Sequence, residues 1–204
     1  MKYDCVVSRV RTDATVANIF RHFFLESQHS YWLDSSRADE TYARFSFMGD
    51  DSGPLTHMLS YRVSEATTVR YPSGESSIHD EDIFTFLETR LSESTLLAPP
   101  ALPFEFCGGY VGYLGYELMA VTEHVYGKPA GLPDARLMFS DRFLAIDHAN
   151  GVVYCVCLAC RRCNKRNCVV AQCWSTAGSS LYDDAHPPSC RTVPTTVDRA
   201  LFAM

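Results

Sequence analysis

Apolar residues recur through the first 160 positions with two periods, and the periods divide this part of the chain into short strands and two helices. Residues 3–10 alternate in the manner of a strand. Between residues 15 and 25, Val16, Ile19, Phe20, Phe23 and Phe24 fall three and four apart, the spacing of one helical face, and Asp13 or Thr15 stands where a cap is needed. Residues 30–35 and 42–48 read as strands, the second alternating Phe45 and Phe47 with Arg44 and Ser46, and residues 57–63 and 67–71 as a further hairpin. A second helix is predicted over residues 80–91. It is apolar at Ile83, Phe84, Leu87 and Leu91 and acidic at Asp80, Glu81 and Asp82, where the helix dipole favours anions. Pro99 and Pro100 end that unit.

Residues 135–147 and 152–158 are apolar enough for central strands. Asn150-Gly151 between them supplies the positive φ angles of a tight hairpin turn. Further on, residues 169–181 read as a helix and residues 182–196, with Pro187, Pro188 and Pro194, as a linker. Strands in a run with few helices, and without strand-helix-strand alternation, imply an α+β fold of mainly antiparallel sheet layers.

Composition changes the picture at one place. Residues 1–160 carry 12 Lys and Arg against 21 Asp and Glu, whereas residues 161–204 carry 6 against 3. Only Cys5 and Cys107 precede residue 150, while Cys155, Cys157, Cys160, Cys163, Cys168, Cys173 and Cys190 follow it. The expected organisation is therefore a domain over residues 1–160 and a Cys-rich, basic segment over residues 161–204. A net charge of -6 excludes a nucleic-acid surface, which needs a basic stripe. Apolar runs fall short of the roughly 20 residues that cross a bilayer, and the amino terminus opens without a signal-peptide core, so no membrane partner is expected and the compartment is the cytoplasm.

Gly108, Gly109, Gly112 and Gly115 do not form a phosphate cradle, because neither Gly-x-Gly-x-x-Gly nor Gly-Lys-Ser/Thr is present. Interleaved with Tyr110, Tyr113 and Tyr116, they suit a strand where missing side chains let a neighbour approach. This block, Pro103-Phe-Glu-Phe-Cys-Gly-Gly-Tyr-Val-Gly-Tyr-Leu-Gly-Tyr-Glu117, stands behind a first one, Trp32-Leu-Asp-Ser-Ser36 followed by Arg44-Phe-Ser-Phe-Met-Gly49. In that order the two resemble the amino-terminal domain of the chorismate-utilising synthases, and most closely that of aminodeoxychorismate synthase component I, over about residues 3–158.

The resemblance implies a non-catalytic domain that scaffolds a chorismate-binding catalytic half. The whole enzyme would use glutamine-derived ammonia, delivered by a glutamine amidotransferase, to form 4-amino-4-deoxychorismate on the route to para-aminobenzoate and folate. Mg²⁺ and the acid/base groups would belong to the catalytic domain, and none is expected in this chain. The resemblance also implies a tryptophan-type pocket near Leu33, Asp34, Ser35, Arg44 and Phe45. A bound amino acid needs an acceptor for its ammonium, which Asp34 supplies, a hydroxyl such as Ser35, and an apolar slot beside Phe45; the competing reading makes Asp34 and Ser35 a turn and Phe45 core.

Three other readings stand beside this one. Anthranilate synthase shares the same amino-terminal pattern. A stand-alone amino-acid-binding regulatory module would use the same pocket without turnover. A zinc protein would use Cys157, Cys160 and Cys163 with Cys168 and Cys173, although these are more crowded than the paired knuckles of structural zinc sites. None of the seven histidines falls in a His-Glu-x-x-His pattern, and no Gly-x-Ser-x-Gly elbow is present.

Overall fold

The computed structural model describes residues 1–34, 44–127 and 131–160, and these form two sheets. The first contains β1 (Lys2–Arg11), β2 (Ser30–Leu33), β3 (Phe45–Asp50), β7 (Thr95–Leu96), β10 (Arg142–Asp147) and β11 (Val152–Cys160), in the order β2-β3-β10-β11-β1-β7. The second contains β4 (Met58–Tyr61), β5 (Thr67–Arg70), β6 (Ser76–His79), β8 (Gly109–Leu114) and β9 (Ala135–Ser140), in the order β6-β5-β4-β9-β8. All pairings are antiparallel except the short one between β1 and β7. The fold is α+β, as the sequence pattern implies.

The apolar run over residues 135–147 is two strands rather than one. It breaks at Asp141, so that β9 belongs to one sheet and β10 to the other. The Asp141 carboxylate is buried there, accepting from Leu55 N at 2.7 Å and Thr56 Oγ1 at 3.1 Å. Tyr3, Phe139 and Leu158 form a core between the sheets beside this crossing.

Helix α1 (Val16–Phe24) starts at Thr15, whose hydroxyl accepts from Asn18 N, so Thr15 and not Asp13 caps it. Its Ile19 and Phe24 cover Met48, Leu144, Ile146, Val153 and Cys155 on one face of the first sheet. The other face is covered by Phe104 and Phe106 of the loop before β8, over Phe143, Ala145, Tyr154 and Val156. Both faces of β10 and β11 are therefore covered, which is why these strands read as continuous apolar runs.

Helix α2 (Ile83–Ser92) begins later than the sequence pattern implies. Asp82 is its cap, accepting from Phe84 N at 2.9 Å and Thr85 N at 3.1 Å, so Asp80 and Glu81 precede the helix. Ile83 and Phe86 are its buried positions, over Leu59, Tyr61, Val69 and Leu137, whereas Leu91 is 55% exposed. Phe84 and Leu87 pack partly buried against the same core, so the apolar stripe is shorter than predicted only at Leu91, in the last turn. Burying a side chain of this size contributes about 1.5–3 kcal/mol, so Ile83 and Phe86 hold the helix in place.

The glycine block forms β8, as read from its sequence. A Cβ on Gly112 would stand 2.1 Å from the Arg136 carbonyl oxygen of β9, a distance no side chain tolerates. Gly151 sits in the turn between β10 and β11 with φ +60°, the conformation predicted for it, whereas Asn150, expected to share it, does not have a positive φ. β6, β7 and a short helix α3 (Met119–Thr122) lacked a strong sequence signal. The helix and linker predicted after residue 160 lie outside the described residues.

Candidate functional site

Four of the five residues singled out by sequence, Leu33, Asp34, Arg44 and Phe45, lie at one end of the first sheet. Leu33 closes the edge strand β2 opposite Phe47 and is about half exposed; Asp34 follows it, and Ser35 lies outside the described residues. The Asp34 Oδ1 accepts from Ser46 Oγ at 2.8 Å. His148 Nε2 stands 2.6 Å from the same Ser46 oxygen. A serine hydroxyl has one proton, already given to Asp34, so His148 Nε2 carries the hydrogen of the second bond.

Arg44 and Phe45 take a different direction. Ser46 and Met48 face α1, whereas Phe45 and Phe47 face the Phe104 core, with the rings of Phe45 and Phe104 at 5.3 Å. Asp34 and Phe45 therefore address opposite faces of the sheet end. Arg44 donates to Asp147 through Nε at 3.0 Å and Nη2 at 2.8 Å, with its guanidinium over the Phe45 ring at 4.8 Å. Asp147 also accepts from Ala149 N at 3.1 Å and Asn150 Nδ2 at 2.8 Å. The Arg44 hydrogen bonds hold its carboxyl below the usual carboxylate range despite burial.

Ser46, Asp147 and His148 were not anticipated as members of this group. Asp147 had a detectable signal, since Asp three residues before Asn150, ahead of the glycine, can fold back on the turn amides. Ser46 and His148 had none, because their meeting depends on the register of β3 against β10.

A cavity of about 470 Å³ lies apart from this group, between the start of β1, residues 54–57, β5 and the turn after it, α2 and β8. None of Leu33, Asp34, Arg44 and Phe45 lines it. Among the described residues no three His, Cys, Asp or Glu side chains gather as metal ligands. Cys155 and Cys157 are buried in β11, with burial pushing the Cys155 thiol up to about 11. No described helix is long and apolar enough to cross a membrane.

Over 186 residues, 91% of its length, the chain is 36% identical to the aminodeoxychorismate synthase of Streptomyces pristinaespiralis. It is a homologue of the aminodeoxychorismate and anthranilate synthases. The chloroplastic aminodeoxychorismate synthase of Arabidopsis thaliana is 33% identical over 164 residues, covering 70% of the chain, and anthranilate synthase component 1 of Pseudomonas putida 31% over 139 residues, covering 65%. The chain spans about a quarter or less of these relatives: 24%, 17% and 27% of their lengths. Among solved structures, anthranilate synthase component I from Streptococcus pneumoniae TIGR4 superposes with a TM-score of 0.51 at 19% identity, over 86% of this chain and 37% of that one, which shows a shared fold. No family model matches the chain.

Proposed function

We propose that this chain serves as the non-catalytic amino-terminal domain of an aminodeoxychorismate synthase, scaffolding a chorismate-binding catalytic domain. The observation that carries the reading is the 36% identity across 91% of the chain, against 31% across 65% for the anthranilate synthase relative, which ranks aminodeoxychorismate synthase ahead. The reaction of the whole enzyme would join ammonia, supplied by a glutamine amidotransferase, to chorismate, giving 4-amino-4-deoxychorismate for para-aminobenzoate and folate. Its Mg²⁺ would polarise the substrate carboxylate from a site in the catalytic domain. The buried acids Asp141 and Asp147 are unsuited to holding that ion, because Asp141 is occupied by Leu55 and Thr56 and Asp147 by Arg44. The compartment consistent with this role is the cytoplasm.

Within that role, the sheet end around Asp34 contributes to a tryptophan-type pocket. Leu33 and Asp34 stand at the outer edge of β2, with the carboxylate oriented by Ser46, and Arg44 and Phe45 reach the same end from the other face. Exposed apolar residues after β8, Tyr116 at 88%, Tyr126 at 73% and Leu132 at 67%, suit a face covered by the catalytic domain.

The test is reconstitution. The chain alone, given chorismate, Mg²⁺ and ammonium, is expected to yield no aminodeoxychorismate. Co-expressed with the carboxy-terminal domain of the Streptomyces pristinaespiralis relative, it should co-purify with that domain and raise its ammonia-dependent product formation. Turnover by the chain alone, abolished by one substitution within it, would overturn the reading.

A further inference from the structure

The 470 Å³ cavity is within the size range of small-molecule sites, and its walls are aromatic. One wall is fixed by a hydrogen-bond chain. His57 Nδ1 stands 3.0 Å from the Leu55 carbonyl oxygen, which only accepts, so Nδ1 carries the proton of the neutral ring. Nε2 then accepts from Tyr110 Oη at 3.0 Å. The imidazole stacks on Phe139 at 5.0 Å and meets the Tyr71 ring at 5.9 Å. Each member of this wall is held by another, so it keeps its shape without a ligand.

Among the described residues two cations line this cavity: the Met1 α-ammonium, which donates to the Glu93 carbonyl oxygen, and Arg90. Arg90 of α2 lies with its guanidinium 5.1 Å from the Phe86 ring centre, which sets the plane of its donors. Its ion-pair contact is Glu93 at 4.0 Å, beyond hydrogen-bond distance, so the fork of N–H groups retains donors for a ligand. Glu75, which accepts from Ser73 Oγ at 3.3 Å, and the largely exposed Glu93 complete the charged lining. Two acids against Arg90 and the Met1 ammonium leave the lining close to neutral, which disfavours a dianion such as phosphate and admits a single negative charge.

We propose that this cavity binds a planar aromatic monocarboxylate, with its ring against Tyr71, His57 and Tyr110 and its carboxylate on Arg90. The aromatic wall selects a flat ring by stacking and edge contacts, and the guanidinium selects the carboxylate by paired hydrogen bonds. None of Leu33, Asp34, Arg44 and Phe45 lines this cavity, so the proposal does not depend on the function proposed above.

The test is a chemical-shift titration of the 204-residue chain with benzoate, with cyclohexanecarboxylate, benzamide and benzylamine as matched probes lacking the ring, the charge or its sign. Benzoate should bind saturably, and each of the other three at least about tenfold more weakly. Arg90→Ala and Tyr71→Ala should each weaken benzoate by about tenfold or more. Both side chains are about one-third exposed, so the variants should stay folded, which the dispersion of the same spectra reports. Asp34→Ala should leave benzoate binding unchanged. No saturation up to about 10 mM, equal affinity in the Arg90→Ala protein, or a preference for benzamide or benzylamine would overturn the proposal.

Discussion

Ser46 gives its hydroxyl proton to Asp34 across 2.8 Å and receives one from His148 across 2.6 Å, from a fully buried position on β3. The carboxylate at the open edge of the first sheet is thus aimed by a rigid interior residue. An ammonium group placed against it would gain a charge-assisted bond without the cost of ordering the acid. In the chain joined to a catalytic domain, Asp34→Ala should therefore weaken tryptophan binding by about tenfold or more, read by calorimetry. Ser46→Ala should weaken it less, because the acid remains but loses its orientation. Equal affinity in the parent and the Asp34→Ala protein, both folded, would return Asp34 to the role of a turn residue.

Asp147 and Asp141 are both buried, yet they bear on stability in opposite ways. Arg44 lowers the Asp147 pKa, so its contribution is present above the ordinary carboxylate value of about 3.9 and is lost as pH falls through the folded pKa. Burial raises the Asp141 pKa, so the stability that group contributes is fully present only below the ordinary carboxylate value and is lost as pH rises through the folded value. Asp147→Ala should cost about 2–4 kcal/mol near neutral pH in urea unfolding, leaving Arg44, Ala149 and Asn150 without their acceptor. Asp141→Asn should cost far less there, since an amide can still accept from Leu55 N and donate to Thr56 Oγ1. Similar losses for the two variants would mean that the Asp141 charge is stabilising.

Much of this fold was legible because most of its longer strands carry a local signal, either alternation or a continuous apolar run. Helix α1 and the β10–β11 hairpin have strong local signals, an apolar face with a Thr cap and a turn built on Gly151. The break at Asp141 was not legible, because an apolar run crossing from one sheet to another looks like a single strand; the lone acid inside it was the trace of the break. The candidate site was legible in part. Leu33, Asp34, Arg44 and Phe45 do gather at one sheet end, but their division between two faces follows from pairing register, which no local pattern encodes. The 470 Å³ cavity was invisible for the same reason, since Tyr3, His57, Arg90 and Tyr110 come from four separated segments.

Gly112 tests the packing role of the glycine block. Its Cα lies against the backbone of β9, where an added methyl would meet both the Arg136 carbonyl oxygen at 2.1 Å and Leu137 Cα at 2.8 Å. Backbone atoms in a paired strand cannot move aside as a flexible side chain can, so Gly112→Ala should cost about 1–3 kcal/mol and loosen the β8–β9 pairing. Hydrogen exchange should show the loss first in the amides that join Val111 and Tyr113 to their neighbours on β9. A variant as stable as the parent would show that β8 bends away freely, and the block would need another explanation.

Cys5 and Cys107 offer the most direct chemical test of how the loop before β8 lies on β1. Cys5 pairs with Leu158 across the β1–β11 ladder, and Gly108 sits so close to Leu158 that a Cβ there would reach its Cδ1 at 2.6 Å. Cys107, next in the chain, is thereby brought to Cys5, and both are free thiols. The hydrogen bond from Cys5 lowers the Cys107 pKa to about 7, while the same bond, followed by burial, holds Cys5 far above the usual thiol range. Thiolate is the reactive form, so at a pH of about 7.5 Cys107 should be alkylated by iodoacetamide before Cys5 and Cys155, as read by peptide mass spectrometry. Cys5→Ala removes the donor that stabilises the thiolate. Its effect should be to move the pH midpoint for Cys107 alkylation up toward the ordinary thiol value of about 8.5 and to slow the reaction near neutral pH. If Cys5 reacts first, or the midpoint stays where it was in the Cys5→Ala protein, the two thiols do not share a proton and the loop does not lie on β1 as described.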